Sequence, residues 1–178
     1  MKSSALQAIE AFYGDRRAER SGVPLIRHIH EGLSVLEALQ APQGAKDAYC
    51  LHPLFQRDED LAKNYGLFQQ MPSDVIVNIL EYRNQANAWL SDKVRPNPDA
   101  HAAERFVLEG RPSWGVIESV RQMLIADKVQ NFKDFGLHHA RTHARRGELE
   151  LYFRTWLAAL DVGPELHARL CGVMEALP

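Results

Sequence analysis

Four polar residues sit where hydrophobic residues belong, and their types suit a divalent metal. In PLIRHIHEGLSVLEAL, residues 24–39, Leu25, Ile29, Leu33, Val35, Leu36 and Leu39 set the apolar side of a helix turning 100° per residue. His28 falls between Val35 and Leu39 on that wheel and looks inward, whereas His30 falls beside Glu37 on its outer edge. His52 shares a helical face with Ala45, Ala48 and Tyr49. Farther on, Asp127 and Asn131 lie within the arc of Val116, Val120, Met123 and Leu124, so a carboxylate and an amide point at the core.

A lone inward histidine is most often a core residue bonded to a backbone carbonyl, so the carboxylate carries more weight. A carboxylate is rarely buried unpaired, because losing its hydration costs several kcal/mol unless a cation, a metal or several donors replace it. Two partners for Asp127 are open. Arg83 lies on the apolar side of its own helix, between Ile79, Ala86 and Leu90, and offers a structural ion pair. Alternatively, His28, His52 and Asp127 converge from three helices on one divalent ion, manganese or another transition metal, through imidazole and carboxylate ligands.

The elements that must position these groups read as helices throughout. Ser4 with Gln7 suggests a capping box, and Leu6, Ile9 and Phe12 carry a first helix to about Arg17. Ser21-Gly22 and Pro24 open the second helix, which Ala41-Pro42 ends. Residues 43 to 52 form a third, and Pro53 disfavours α geometry for His52 itself. A short helix or turn follows in RDEDLAKNYGLF, and Pro72-Ser73-Asp74 starts a long helix through Leu90. Residues 92–113 hold three prolines and read as a mobile segment. Ser113 then caps the helix carrying Asp127, and Gly163-Pro164 separates two last helices, one with Leu149, Tyr152, Phe153, Trp156 and Leu160, the other with Leu166, Leu170, Val173, Met174 and Leu177. No stretch alternates with period two and no repeat is visible. The expectation is an all-α single-domain bundle of about eight helices spanning 1–178.

Bulk properties agree with one ordinary globular domain. The 178 residues are 46% hydrophobic and 25% charged with a net charge of −2, so no global basic field draws the chain to nucleic acid or to an anionic membrane. The N-terminal MKSSALQAIEAF lacks the apolar core of a signal peptide, and no apolar run approaches the ~20 residues that span a bilayer. Cys50 and Cys171 stand alone in apolar contexts, which fits a reducing cytoplasm. Self-association into a homo-oligomer is compatible with the sequence, which does not fix it.

These positions, in this order, resemble the HD-domain phosphohydrolases, particularly the hydrolase domain of the RelA/SpoT family and its small stand-alone relatives. SGVPLIRH matches the segment that supplies the family's first histidine and ends on His28. YCLHPL offers His52 for the helix ending in the family's His-Asp pair. LIADKVQNFKDF matches the segment carrying the last aspartate ligand, at Asp127, Lys128 and Asn131. The resemblance covers roughly residues 5 to 160 and implies pyrophosphate removal from guanosine tetraphosphate or a related small nucleotide. It also implies a nucleotide contact at Arg20. The chain departs from the pattern at Pro53, where the aspartate of the family's His-Asp pair, a metal ligand, would stand, and at Gln56 and Arg57, where its Glu-Asp pair would fall.

On this reading the chemistry is metal-assisted hydrolysis at His28, His52 and Asp127. One of Asp58, Glu59 or Asp60 acts as general base, and Arg20, Arg57, Arg83, Lys128 and Asn131 hold the substrate. The rival is a metal-free descendant of the same fold that binds a nucleotide or a protein partner, which the proline in place of a ligand favours. His138, His139 and His143 include an i, i+4 pair able to clasp zinc, but Arg141, Arg145 and Arg146 would repel a cation, so a solvated face is the simpler reading. Trp89, Trp114 and Trp156 read as core anchors.

Overall fold

The computed structural model describes residues 3–19, 21–87 and 117–176 in full and the backbone of 88–90. Among them are eight α-helices and no strand. They are α1 (Ser4–Tyr13), α2 (Ile26–Ala38), α3 (Gln43–Leu51), α4 (Asp58–Asn64), α5 (Ser73–Leu90), α6 (Glu118–Asp134), α7 (Arg146–Ala159) and α8 (Pro164–Glu175). None is long and apolar enough to cross a membrane. Arg20, Ser113, Trp114 and the 92–113 segment lie outside the described residues.

Two helix ends differ from expectation for local reasons. The first cap is Ser3, not Ser4, its hydroxyl accepting the Leu6 N–H at 3.2 Å. α1 stops at Tyr13 and does not reach Arg17, because Gly14 turns to φ 51° and its N–H closes on Glu10 O at 2.8 Å. α3 does end before Pro53, and a 3-10 turn, His52–Leu54, replaces it. His52 nevertheless keeps helical dihedrals, φ −53° and ψ −34°. Pro53 stands at the start of the new turn, where a proline is tolerated because the N–H it lacks would have had no partner, and the expected loss of helical geometry at His52 does not occur.

α6 is the axis of the bundle. It packs against α2, α3, α5, α7 and α8, and every residue from Met123 to Gln130 is buried. A helix enclosed on all sides has no solvent face, so its polar residues must find partners inside. Around it, Ile9, Ile29, Leu36, Tyr49, Phe55 and Trp156 are among the largest fully buried side chains. α6 ends in a π-helical turn, Phe135–His139, closed by the Ala140 N–H on Phe135 O at 2.8 Å.

Candidate metal centre

His28 on α2, His52 just after α3 and Asp127 on α6 meet at one point. Their nearest ligand atoms all lie within 4.8 Å of one another. Ligands sharing an ion at about 2.1 Å stand up to about 4 Å apart, so small side-chain adjustments separate this set from a coordination shell. The three line a cleft of about 860 Å³ together with Pro53, Arg57 and Asp60.

Neighbours set the proton on each imidazole. His52 Nδ1 lies 2.6 Å from the Tyr49 backbone oxygen, which only accepts, so Nδ1 carries the hydrogen and Nε2 keeps its lone pair. His28 Nδ1 lies 2.7 Å from Gln130 Oε1. The Gln130 amide donates at 3.0 Å to Glu31 Oε2 and at 2.7 Å to Asp134 Oδ2, so its oxygen faces His28 and must accept. Both histidines therefore present Nε2 lone pairs, which is the arrangement that outer partners impose on metal-binding imidazoles. Glu31 is itself 1% exposed and is held ionised against burial by Lys133, Gln130 and Arg27, with Lys133 Nζ at 2.8 Å.

Tyr49 joins the two histidines. It is fully buried, its ring lies 5.6 Å from that of His28 and 5.0 Å from that of His52, and its hydroxyl donates to His28 Nε2 at 3.3 Å. Burial and the nearby Asp127 charge raise its phenol well above the usual range, so it remains a donor. Gly32 makes room for it, since a Cβ there would stand 2.1 Å from the Tyr49 hydroxyl oxygen.

The cation beside Asp127 is Lys128, not Arg83. Lys128 Nζ lies 2.7 Å from Asp127 Oδ2 and sits 4.9 Å from the centre of the Trp156 ring. Asn131 Nδ2 donates to Asp127 Oδ1 at 2.8 Å, and His28 Nε2 lies 3.6 Å from the same oxygen. Burial alone would raise the Asp127 carboxyl, but Lys128, His28 and His52 outweigh it and hold it at about 2. Burial likewise works against the Lys128 ammonium, and Asp127 reverses the balance and raises it. His52 goes the other way: burial, helped by His28, lowers it to about 4. Burial, the Asp127 charge and a hydrogen bond to that carboxylate raise the Tyr82 phenol well above its usual value. Of the two partners left open for Asp127, the Arg83 ion pair does not form: Arg83 bonds Asp58, and its Nε is buried without a partner among the described residues.

The other predicted site residues divide. Arg57, Asp60, Lys128 and Asn131 line the cleft, whereas Asp58, Glu59 and Arg83 are not among its lining residues. Asp58 is 94% exposed and Glu59 is exposed. Lys128, expected as a substrate contact, is buried in its pair with Asp127. His30 is half-exposed and pairs with Glu10 at 3.1 Å. Sequence reasoning missed Gln130, Glu31 and the role of Tyr49. Tyr49 already shared the His52 face, but a glutamine on an all-round buried helix carries no periodic signal. No protein-family model matches this chain, and no curated protein or solved structure matches it either.

Proposed function

We propose that this chain is a metal-dependent phosphohydrolase acting on a nucleotide or similar small phosphorylated metabolite, of the guanosine tetraphosphate pyrophosphohydrolase type it resembles in sequence. The observation that carries the reading is the approach of His28, His52 and Asp127 ligand atoms to within 4.8 Å. The donor set of two imidazoles and a carboxylate suits manganese, zinc or a related ion and leaves open positions, since Pro53 adds no ligand. Such an ion supplies Lewis acidity toward a phosphate oxygen and nucleophilic water near neutral pH.

The chain's own residues do the rest. Gln130 and the Tyr49 carbonyl hold the imidazoles in the ligating tautomer, and Asn131 fixes the Asp127 carboxylate. Of the candidate bases Asp58, Glu59 and Asp60, Asp60 lines the cleft, which supports it as the group that takes a proton from water, and Arg57, which lines it too, offers its guanidinium to phosphate oxygens. Two free thiols fit a reducing cytoplasm.

A second reading, a metal-free module that binds a nucleotide or a partner, is favoured by one observation: Lys128 Nζ already neutralises Asp127. Metal analysis of protein purified without chelator separates the two, followed by phosphate release from a nucleotide panel. The hydrolase reading expects near-stoichiometric metal, lost in His28→Ala and Asp127→Ala, and metal-dependent phosphate release. Absence of metal binding in the wild type overturns it in favour of the module.

A further inference from the structure

The tautomer of His28 is contested. Its Nε2 lies 3.6 Å from Asp127 Oδ1, and an imidazole beside a carboxylate ordinarily turns an N–H toward the charge. The Tyr49 hydroxyl, 3.3 Å from the same nitrogen, does not decide the matter, because a hydroxyl donates or accepts as its partner requires. Against the pull of Asp127 stands Gln130 Oε1, 2.7 Å from His28 Nδ1. That bond holds only while the Gln130 amide keeps its orientation. Turned over, the amide would present its NH2 to Nδ1, which would then need a lone pair, and Nε2 would carry the proton toward Asp127.

Charge fixes the orientation. Gln130 Nε2 donates at 3.0 Å to Glu31 Oε2 and at 2.7 Å to Asp134 Oδ2. The other oxygen of each carboxylate is held by one ammonium, Lys133 Nζ, at 2.8 Å from Glu31 Oε1 and 2.9 Å from Asp134 Oδ1. Arg27 Nε is a further donor to Glu31 Oε1, at 2.9 Å. Gln130, Lys133 and Asp134 of α6 thus close a ring with Glu31 of α2, in which the cations occupy one oxygen of each acid and leave the other to the amide. Lys133 also offsets the repulsion between two acids that converge on one group. A turned amide would set its oxygen against both carboxylates. Glu31 and Gln130 are each 1% exposed, so bulk water cannot relieve that contact, and an unsatisfied polar group in such a place is costly.

We propose that Glu31, Asp134 and Lys133 are positioning residues that act on His28 through Gln130: they keep Nε2 unprotonated and available to a metal, where His28 would otherwise give that N–H to Asp127. The availability to a metal rests on the phosphohydrolase reading, whereas the tautomer does not. The test reads the His28 ring in metal-free, ¹⁵N-labelled protein at about pH 8 through two-bond proton–nitrogen correlations. In the wild type Nδ1 is the protonated nitrogen. In Glu31→Gln/Asp134→Asn the new amide oxygens stay with Lys133 and Arg27, the new NH2 groups face Gln130, its amide turns over, and the His28 proton moves to Nε2. His52, whose tautomer is fixed by the Tyr49 backbone oxygen, keeps its pattern and reports a folded site. Gln130→Met, which leaves the charged residues in place, gives the same reversal at His28. Loss of packing alone would lower the unfolding temperature without exchanging the two nitrogens. The double variant binds Zn(II) about tenfold or more weakly than the wild type, as loss of an outer partner commonly does. A wild type that binds no metal while both variants show the reversal sinks the hydrolase reading and leaves the positioning role standing. A wild-type His28 protonated on Nε2, a His28 that keeps Nδ1 protonated in either folded variant, or a measurable Zn(II) affinity that is equal in wild type and double variant would overturn it.

Discussion

Replacing Gly32 with alanine tests whether the two histidines are packed as described, because packing and helix propensity predict opposite signs. Residue 32 is buried in the middle of α2, and alanine is favoured over glycine in a helix by about 1 kcal/mol. The new Cβ, however, would lie 2.1 Å from the Tyr49 hydroxyl oxygen and 2.3 Å from two of its ring carbons, well inside the 3.4 Å at which ordinary contact begins. Tyr49 cannot step aside, being fully buried and in ring contact with His28 and His52. Overpacking of this kind costs about 1–3 kcal/mol, and the depth of the overlap places it at the upper end. Net of propensity, Gly32→Ala loses about 2 kcal/mol, or roughly 5 °C in Tm for a chain of this length. Tyr49→Phe does not rescue it, because the ring carbons still collide, whereas Tyr49→Leu in the Gly32→Ala background recovers part of the loss. Urea unfolding of the wild type, both singles and the Gly32→Ala/Tyr49→Leu double gives the coupling directly. A Gly32→Ala protein as stable as the wild type, or more stable, refutes the packing of Tyr49 between the histidines.

Three further outcomes follow from the same interior. In metal-free protein His52 has a folded pKa of about 4 against about 6.5 unfolded, so the unfolded state takes up its proton first as pH falls. Stability therefore drops by about 3 kcal/mol between pH 6.5 and 4 on this account, and an NMR titration showing the His52 ring already protonated at pH 5.5 would contradict it. Lys128→Met leaves Asp127 buried without its ammonium and costs about 3 kcal/mol or more in metal-free protein. If a divalent ion can take that place, added Mn(II) or Zn(II) raises the unfolding midpoint of the variant more than that of the wild type, and equal responses would speak against it. Burial pushes the Cys50 thiol up to about 12, so at most one thiol per chain titrates with Ellman's reagent until the protein unfolds, and two fast thiols in native protein would disprove that burial.

The all-helical architecture and the inward direction of His28, His52 and Asp127 were legible in the linear pattern, because each lies on a helix whose apolar neighbours recur at helical spacing. The same holds for the long α5 and for the end of α3 at Leu51, where proline punctuation marks the boundary. Periodicity names a face, however, and not the partner that face meets. It placed Arg83 on an apolar side, yet only the packing of α5 against α3 and α6 sends that guanidinium to Asp58 and leaves Lys128 to Asp127.

α6 shows why the remainder stayed hidden. Eight consecutive residues from Met123 to Gln130 are buried, so burial reaches beyond the apolar arc that placed Asp127, and the burial of Lys128 and Gln130 leaves no periodic signal. The role of Gln130 arises from groups about a hundred positions away, Glu31 and His28, because a buried polar atom must be satisfied by whatever the fold brings within reach. The inward direction of His28, His52 and Asp127 was thus set by local sequence, while the His28 tautomer, fixed by Gln130, and the meeting of the three groups at one point came from tertiary contacts between distant segments.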